Sequence, residues 1–200
     1  MPTTRVLLLL RHGQSEWNAV GRWQGHADPP LTALGRAQAL AASRSLGTVD
    51  AVVASDLARA RETAEIVAGQ LGLGPVLVDH RLRERDAGEW TGLTRAEIDA
   101  QFPGYLTDGR RPPGWEDAGT LAGRVLGALH DARTAFPGGD VLAVTHSGVI
   151  RAVELALDHD GGVLPNLGAR WVWVDQAGLA LGDRMQLIDP SAVAASVNEA

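Results

Sequence analysis

Five apolar residues in a row, Val6 to Leu10, open the chain and stop at Arg11-His12-Gly13. A run of that length, closed by a turn signal, predicts a strand buried on both faces. Comparable short runs recur at Asp50–Ala54, Pro75–Val78 and Val141–Thr145. Between them the apolar spacing changes to that of helices. Leu57, Ala60, Ala64, Val67 and Leu71 fall on one stripe, with Asp56 read as the N-cap. A helix from Thr32 to Gly47 is predicted with Thr32 as its cap and Ala33, Ala37 and Ala41 as a small-residue packing face. Thr94 caps a short helix, and longer ones run from about Thr120 to Phe136 and onward from His146, the latter with Val149, Val153 and Ala156 on one side. Trp171–Val174 and Leu179–Ile188 flank a turn at Gln176-Ala177-Gly178 and read as a closing hairpin, and the last dozen residues as a frayed tail. Strands alternating with helices predict an α/β fold, a three-layer α/β/α sandwich on a mostly parallel central sheet. One domain is expected over residues 1–200. The Pro- and Gly-rich stretch from Phe102 to Gly119 is its one long irregular segment. Residues 93–119 are therefore a candidate lid rather than a domain boundary.

Composition narrows the chemistry more than the fold. The 200 residues are 45% hydrophobic, enough for a sizeable core, and the net charge of −6 favours neither nucleic acid nor an anionic membrane surface as partner. No cysteine is present, which removes disulfides, thiolate metal sites and a cysteine nucleophile. All 18 basic residues are arginine, so Schiff-base and P-loop lysine chemistry are excluded too. Any phosphate held by side-chain cations must be held by arginine or histidine, and the planar guanidinium matches phosphate oxygens. The Val6–Leu10 run is too short for a signal peptide and no stretch approaches membrane-span length, so the cytoplasm is the expected location.

Charged residues sit where the predicted strands end. Ligands of open α/β sheets bind just past the carboxyl ends of strands, and four such corners here carry Arg11-His12, Arg59, Glu84 and His146. Arg59 falls in the first turn of its helix, where a cation opposes the helix dipole by a few tenths of a kcal/mol. An incoming anion would remove that conflict. Each residue alone has an ordinary explanation, but a doubly wound sheet brings its strand ends to one edge. His26, His80, His130 and His159 are scattered, with no spacing suited to a metal. The segment Thr145-His146-Ser147-Gly148-Val149 lacks the leading glycine of a serine elbow.

These pieces resemble the histidine phosphatase superfamily, also called phosphoglycerate mutase-like. The resemblance is carried by Arg11-His12-Gly13 with Trp17-Asn18, by Gln24-Gly25 with Pro30-Leu31-Thr32 and Gly35, and by Ser55-Asp56-Leu57 through Arg59-Ala60 to Thr63-Ala64. It continues with Leu82 and Glu84, Gly88 and Gly92, and Thr145-His146-Ser147-Gly148. It implies that His12 is a nucleophile forming a phosphohistidine, its other ring nitrogen keeping a proton on a backbone carbonyl. Arg11, Arg59 and His146 would surround the phosphoryl oxygens, and Glu84 would protonate the leaving group and then activate water. Ser15, Asn18, Gln24, Gly25 and Ser147 are further substrate-binding candidates. Ser147 departs from the glycine common in the family after the second histidine. No metal or cofactor is implied, because arginine and histidine supply the positive charge.

The implied activity is hydrolysis of a small phosphorylated metabolite. Phosphoglycerate mutase is the alternative, since Arg110-Arg111-Pro112-Pro113 superficially resembles the mutase substrate arm. The glycolytic mutases shield the intermediate with an extended cap, and the segment from Gly92 to Thr120 is short. A catalytically silent phosphate-ester-binding module is a third reading, though it needs neither a nucleophile nor an acid. Trp23, Trp90 and Trp115 either shape a pocket for a bulkier alcohol or simply pack. The closing hairpin is either an edge that pairs two copies into a homodimer or the last piece of the sheet.

Overall fold

The computed structural model describes residues 5–175 and 178–198, so Gln176 and Ala177 of the predicted hairpin turn lie outside the described residues. In chain order the elements are β1 (Arg5–Arg11), α1 (Glu16–Ala19), α2 (Ala33–Ser43), β2 (Ala51–Ala54), α3 (Ala58–Leu71), β3 (Leu77–Val78), α4 (Arg95–Gln101) and α5 (Tyr105–Asp108). They continue with α6 (Ala118–Ala135), β4 (Val141–Thr145), α7 (Ser147–Ala156), β5 (Gly168–Asp175), β6 (Gly178–Gln186) and α8 (Pro190–Asn198). Single 3₁₀ turns span His80–Leu82 and Gly88–Trp90.

The six strands form one sheet in the order β3-β2-β4-β1-β5-β6. Pairings among β1 to β4 are parallel, and the β1–β5 and β5–β6 pairings are antiparallel. Side chains of a strand alternate between the faces, and the core splits accordingly. Leu7 and Leu9 point to the side covered by α6 and α7, where they meet Leu121, Val125, Val149 and Ile150. Leu8 and Leu10 point to the other side, with Ala42 from α2 and Ala60, Ala64 and Val67 from α3. The result is the three-layer α/β/α arrangement with a mostly parallel sheet.

Several details correct the sequence reading. The buried face of α2 is Gly35, Gln38, Ala39 and Ala42, with Ala33 exposed and Ala37 and Ala41 half-buried. Two polar contacts fix that rotation: Gln38 Oε1 accepts from the Gln14 amide, and Gly35 lies against the Gln14 carbonyl. Asp56 does not cap α3. Its carboxylate takes Arg83 at 2.5 Å, the N-cap is Leu57, and Asp28 from a distant loop accepts the Ala58 amide instead. The tail is not frayed over its last dozen residues: Asp189 accepts the amides of Ser191 and Ala192 at the start of α8, and Val193 packs on the α2–α3 side of the core. Asp-Pro followed by alanines is a helix-start signature. In α7, Ala156 is exposed and Ile150 and Ala152 join Val149 and Val153 in the core.

The segment 93–119 is more ordered than expected. It holds α4, with a Thr94–Glu97 capping box, and α5. Phe102, Tyr105 and Trp115 pack with Trp23 around the fully buried Trp90. Leu142, at the centre of the sheet and wholly buried, tests the core. Leu142→Ala should lower the unfolding free energy by about 2–5 kcal/mol in urea titrations while leaving activity per folded molecule unchanged.

Candidate active site

β2, β4 and β1 are neighbours in the sheet and parallel, so their carboxyl ends open side by side. The β1 end delivers Arg11 and His12. His12 extends the strand ladder by donating its amide to Thr145, and its side chain is almost fully buried. Its Nδ1 lies 2.6 Å from the Gly13 carbonyl. A carbonyl can only accept, so Nδ1 carries the proton and Nε2 keeps a free lone pair. The corner turns tightly because Gly13 and Gly35 touch. A Cβ on Gly13 would come 2.5 Å from the Gly35 oxygen. Thr63 of α3 binds the corner from below, accepting the Gly13 amide and donating to the Arg59 carbonyl.

The β2 end contributes Ser55 and Arg59, and the β4 end His146. The two imidazoles meet edge to face, 5.0 Å between centroids. His146 Nε2 is 3.0 Å from Ser55 Oγ, which also accepts the Leu57 amide. With a lone pair so engaged, the hydroxyl hydrogen is free to go to Nε2. When the hydroxyl donates to Nε2, the His146 proton stands on Nδ1, a buried atom with no partner among the described residues. Burial, then the charges of Arg59 and Arg11, hold the His12 imidazole well below its usual range. His146 shifts the same way, from burial first and then Arg59. Both rings are neutral at pH 7.

Arg59 is buried and Arg11 half-buried, neither hydrogen-bonds a carboxylate among the described residues, and Glu84 acts on both only through space. Arg59 donates to the carbonyls of Ala27 at 2.8 Å and Gly25 at 3.1 Å, and Asp28 stands off at 4.0 Å. Burial lowers its guanidinium to about 10, which leaves it a cation at neutral pH. Arg11 donates to the Leu164 carbonyl, and burial lowers it as well. The Nε atoms of both are buried and unpartnered among the described residues.

Glu84 follows the 3₁₀ turn after β3. Its Oε1 accepts the Arg85 amide at 2.8 Å and its Oε2 the Gly148 amide at 3.2 Å. A Cβ on Gly148 would lie 2.2 Å from Oε1, so the carboxylate needs a glycine there. Arg11, His12, Arg59 and Glu84 all line one cavity of about 400 Å³, with Asn18, Gln24, Gly25, Ser147 and Gly148. Trp23, Ala87, Trp115, Arg85 and Arg111 form its outer wall. Of the arginine pair at 110–111 only Arg111 lines the cavity, since Arg110 is bound to Asp108 and lies over Tyr105.

Two predicted site residues stand behind the cavity wall rather than in it. His146 is fully buried, its ring against that of His12. Ser15 is fully buried as the N-cap of α1, accepting the Asn18 amide and donating to Gln24 Oε1. Asn18 spends its Oδ1 on the Ser15 amide and on Asn166, so its amide N–H groups are what it offers an anion. Ser147, the serine that departs from the family pattern, uses its Oγ to accept the Leu164 amide and so ties the start of α7 to that distant loop. Ser55 and Thr63 belong to the motif that carries the resemblance but receive no role in the site from it, and Asn166 does not stand out from the sequence at all. Asn166 donates to the His12 carbonyl from 154 residues away, and no local pattern signals that.

The model of the histidine phosphatase superfamily (branch 1) matches residues 7–163. The chain belongs to the histidine phosphatase superfamily. A glucosyl-3-phosphoglycerate phosphatase of Mycolicibacterium vanbaalenii is 41% identical over 76% of this chain and 74% of its own length. A 2,3-bisphosphoglycerate-dependent phosphoglycerate mutase of Methylobacterium radiotolerans is 37% identical over 77% of this chain and 79% of its own. The solved structure of a mycobacterial glucosyl-3-phosphoglycerate phosphatase in complex with VO3 superposes with a TM-score of 0.82, at 33% identity over 90% of this chain and 98% of that one. Histidine phosphatases of both acceptor types thus stand among its relatives.

Two outcomes follow from the buried pair of rings and from Gly148. Well above pH 6.5 neither imidazole is protonated, folded or unfolded. Below it the unfolded chain binds protons that the folded one refuses, so stability falls as the pH drops from 6.5 towards 5. The slope is up to about 1.4 kcal/mol per pH unit for each ring. Urea titrations at pH 7, 6 and 5 should show it, and His12→Ala should remove about half. Gly148→Ala should cost about tenfold or more in kcat with little change in Tm, because what it displaces is the mobile end of Glu84.

Proposed function

We propose that this chain hydrolyses phosphomonoesters of small metabolites through a covalent phosphohistidine on His12. The observation that carries the reading is a neutral, buried imidazole with its Nδ1 proton held by the Gly13 carbonyl, beside two guanidiniums hydrogen-bonded to backbone carbonyls and, among the described residues, to no carboxylate. A phosphoryl dianion would pair with both. Nε2 attacks phosphorus, and the P–O bond to the alcohol breaks as Glu84 gives the leaving oxygen its proton. Arg11, Arg59 and the Asn18 amide would bind the three other oxygens, with the buried His146 ring set edge to face against the nucleophile. Such positioning and charge stabilisation is most of what phosphoryl transfer needs. Water then attacks the phosphohistidine, Glu84 takes its proton, the P–N bond breaks, and phosphate leaves.

Hydrolysis is favoured over mutation by how little the 93–119 segment adds to the cavity, namely Arg111 and Trp115. The cavity far exceeds the room one phosphoryl group needs, so the alcohol is the size of a sugar acid or amino acid. Its outer wall carries Arg85 and Arg111, neither in an ion pair among the described residues, which supports an alcohol with a further anionic group. The relatives named for glucosyl-3-phosphoglycerate and phosphoserine act on compounds of that size. The same reading has the enzyme working in the cytoplasm. It takes β6, at the sheet edge beside the exposed Trp173, as the surface through which two copies would pair.

The test is to quench turnover of a labelled phosphomonoester in alkali. The label should sit on His12, survive base and be lost in acid. His12→Ala should lack it and lose at least about three orders of magnitude in kcat, as with other covalent nucleophiles. Absence of label at position 12 would sink the reading. Incubation with 3-phosphoglycerate should release phosphate, whereas conversion to 2-phosphoglycerate would favour the mutase.

A further inference from the structure

Glu84 lies on a segment without regular secondary structure, between the 3₁₀ turn that ends at Leu82 and the one that begins at Gly88. Something other than a helix or strand must therefore hold its backbone. Arg124, on α6, is placed to do so and uses all five of its N–H groups. Its Nη1 donates to the carbonyls of Arg81 and Arg83, both at 2.7 Å. Its Nη2 donates to the Glu84 carbonyl at 2.9 Å and to Glu116 Oε2 at 2.8 Å, and its Nε to Glu116 Oε1 at 2.7 Å.

Glu116 is fastened in turn. Its Oε2 accepts the Asp86 amide, its own amide donates to the Asp86 carbonyl, and its carbonyl accepts from Arg85 Nη1. His26 Nε2 donates to the same Glu84 carbonyl at 2.9 Å. The side chains of Arg124 and Glu116 are 18% and 10% exposed, so solvent screens the pair little.

We infer that Arg124, held by Glu116, is a positioning residue that keeps the Glu84 carboxyl group in line with the leaving oxygen. The inference rests on the reading of Glu84 as proton donor given above. A planar fork of five donors gathers three carbonyls and a carboxylate at once, which the point charge of a lysine cannot do. If Arg124 only glued α6 to its neighbours, its replacement would reduce turnover evenly, whatever the alcohol. If it aims Glu84, the loss depends on how badly the alcohol needs a proton.

The experiment compares kcat/KM for 2,4-dinitrophenyl phosphate, whose leaving group departs unprotonated, and β-glycerol phosphate, whose alkoxide does not. This constant covers steps through the first phosphoryl transfer, so the water step does not enter. A general acid is worth about 10²- to 10⁴-fold. Arg124→Lys should therefore lower kcat/KM for the alkyl ester about 10- to 100-fold and for the aryl ester less than about threefold. Glu116→Gln should act in the same direction more weakly, and it carries the comparison should Arg124→Lys fail to fold by circular dichroism. Equal losses on both esters, or undiminished alkyl turnover, would overturn the inference. Glu84→Gln is the control. If it slows both esters alike, the acid role itself is wrong; if it is selective and Arg124→Lys is not, only the positioning role falls.

Discussion

Two guanidinium ions, Arg59 buried and Arg11 half-buried, held by backbone carbonyls, are the constraint from which the rest of the site follows. A buried charge without a counter-ion costs several kcal/mol even after relaxation. Arg11 and Arg59 meet this cost with the carbonyls of Leu164, Ala27 and Gly25, and each keeps an Nε unpartnered among the described residues. Glu84 acts on both and Asp28 on Arg59 without a hydrogen bond, so the guanidiniums still have charge to give an incoming anion. Burial first, and then the charges of these arginines, hold His12 and His146 neutral, the first with a free lone pair on Nε2. Stability given up in the resting protein is recovered when a dianion enters, which is how binding energy is directed to the reacting group.

Much of this is legible in the sequence because it is local. An apolar run ending in Arg-His, and another ending in His-Ser-Gly, name both the strand and what stands at its tip. The alternation of strands and helices is enough to bring the tips to one edge. Contacts made across the sheet are not legible. Asp56 looks like a helix cap until Arg83 claims it, and Ser15 looks like a phosphate ligand until Gln24 takes its hydroxyl proton. Thr63, Asn166 and the Glu116–Arg124 pair act through partners far away in the chain, and composition or periodicity carries no trace of those pairings. The buried face of α2 escapes a sequence reading for the same reason. Its rotation is set by Gln38 and Gly35 against the Gln14 backbone, not by which residues are small.

Among the described strands only β5 runs against the others, and this completes the site. Because β5 runs antiparallel to β1, the loop entering β5 arrives at the carboxyl end of β1. That loop carries the Leu164 carbonyl to Arg11, the Leu164 amide to Ser147 and the Asn166 amide to the His12 carbonyl. It ends on Leu167, a residue with φ of 54°, a conformation costing roughly 1–2 kcal/mol outside glycine. The strain is held by full burial of Leu167, by its amide on the Arg11 carbonyl and by its carbonyl on the Leu187 amide. Farther out, the buried Glu154 carboxylate grips Arg184, which donates to the carbonyls of Gly161 and Gly162 near the loop's start. A parallel β5 would have put the chain between Glu154 and Leu167 at the opposite edge, leaving Arg11 without its carbonyl and His12 without its amide. The antiparallel return is thus as much a part of the phosphoryl pocket as the two strand tips that bear the histidines.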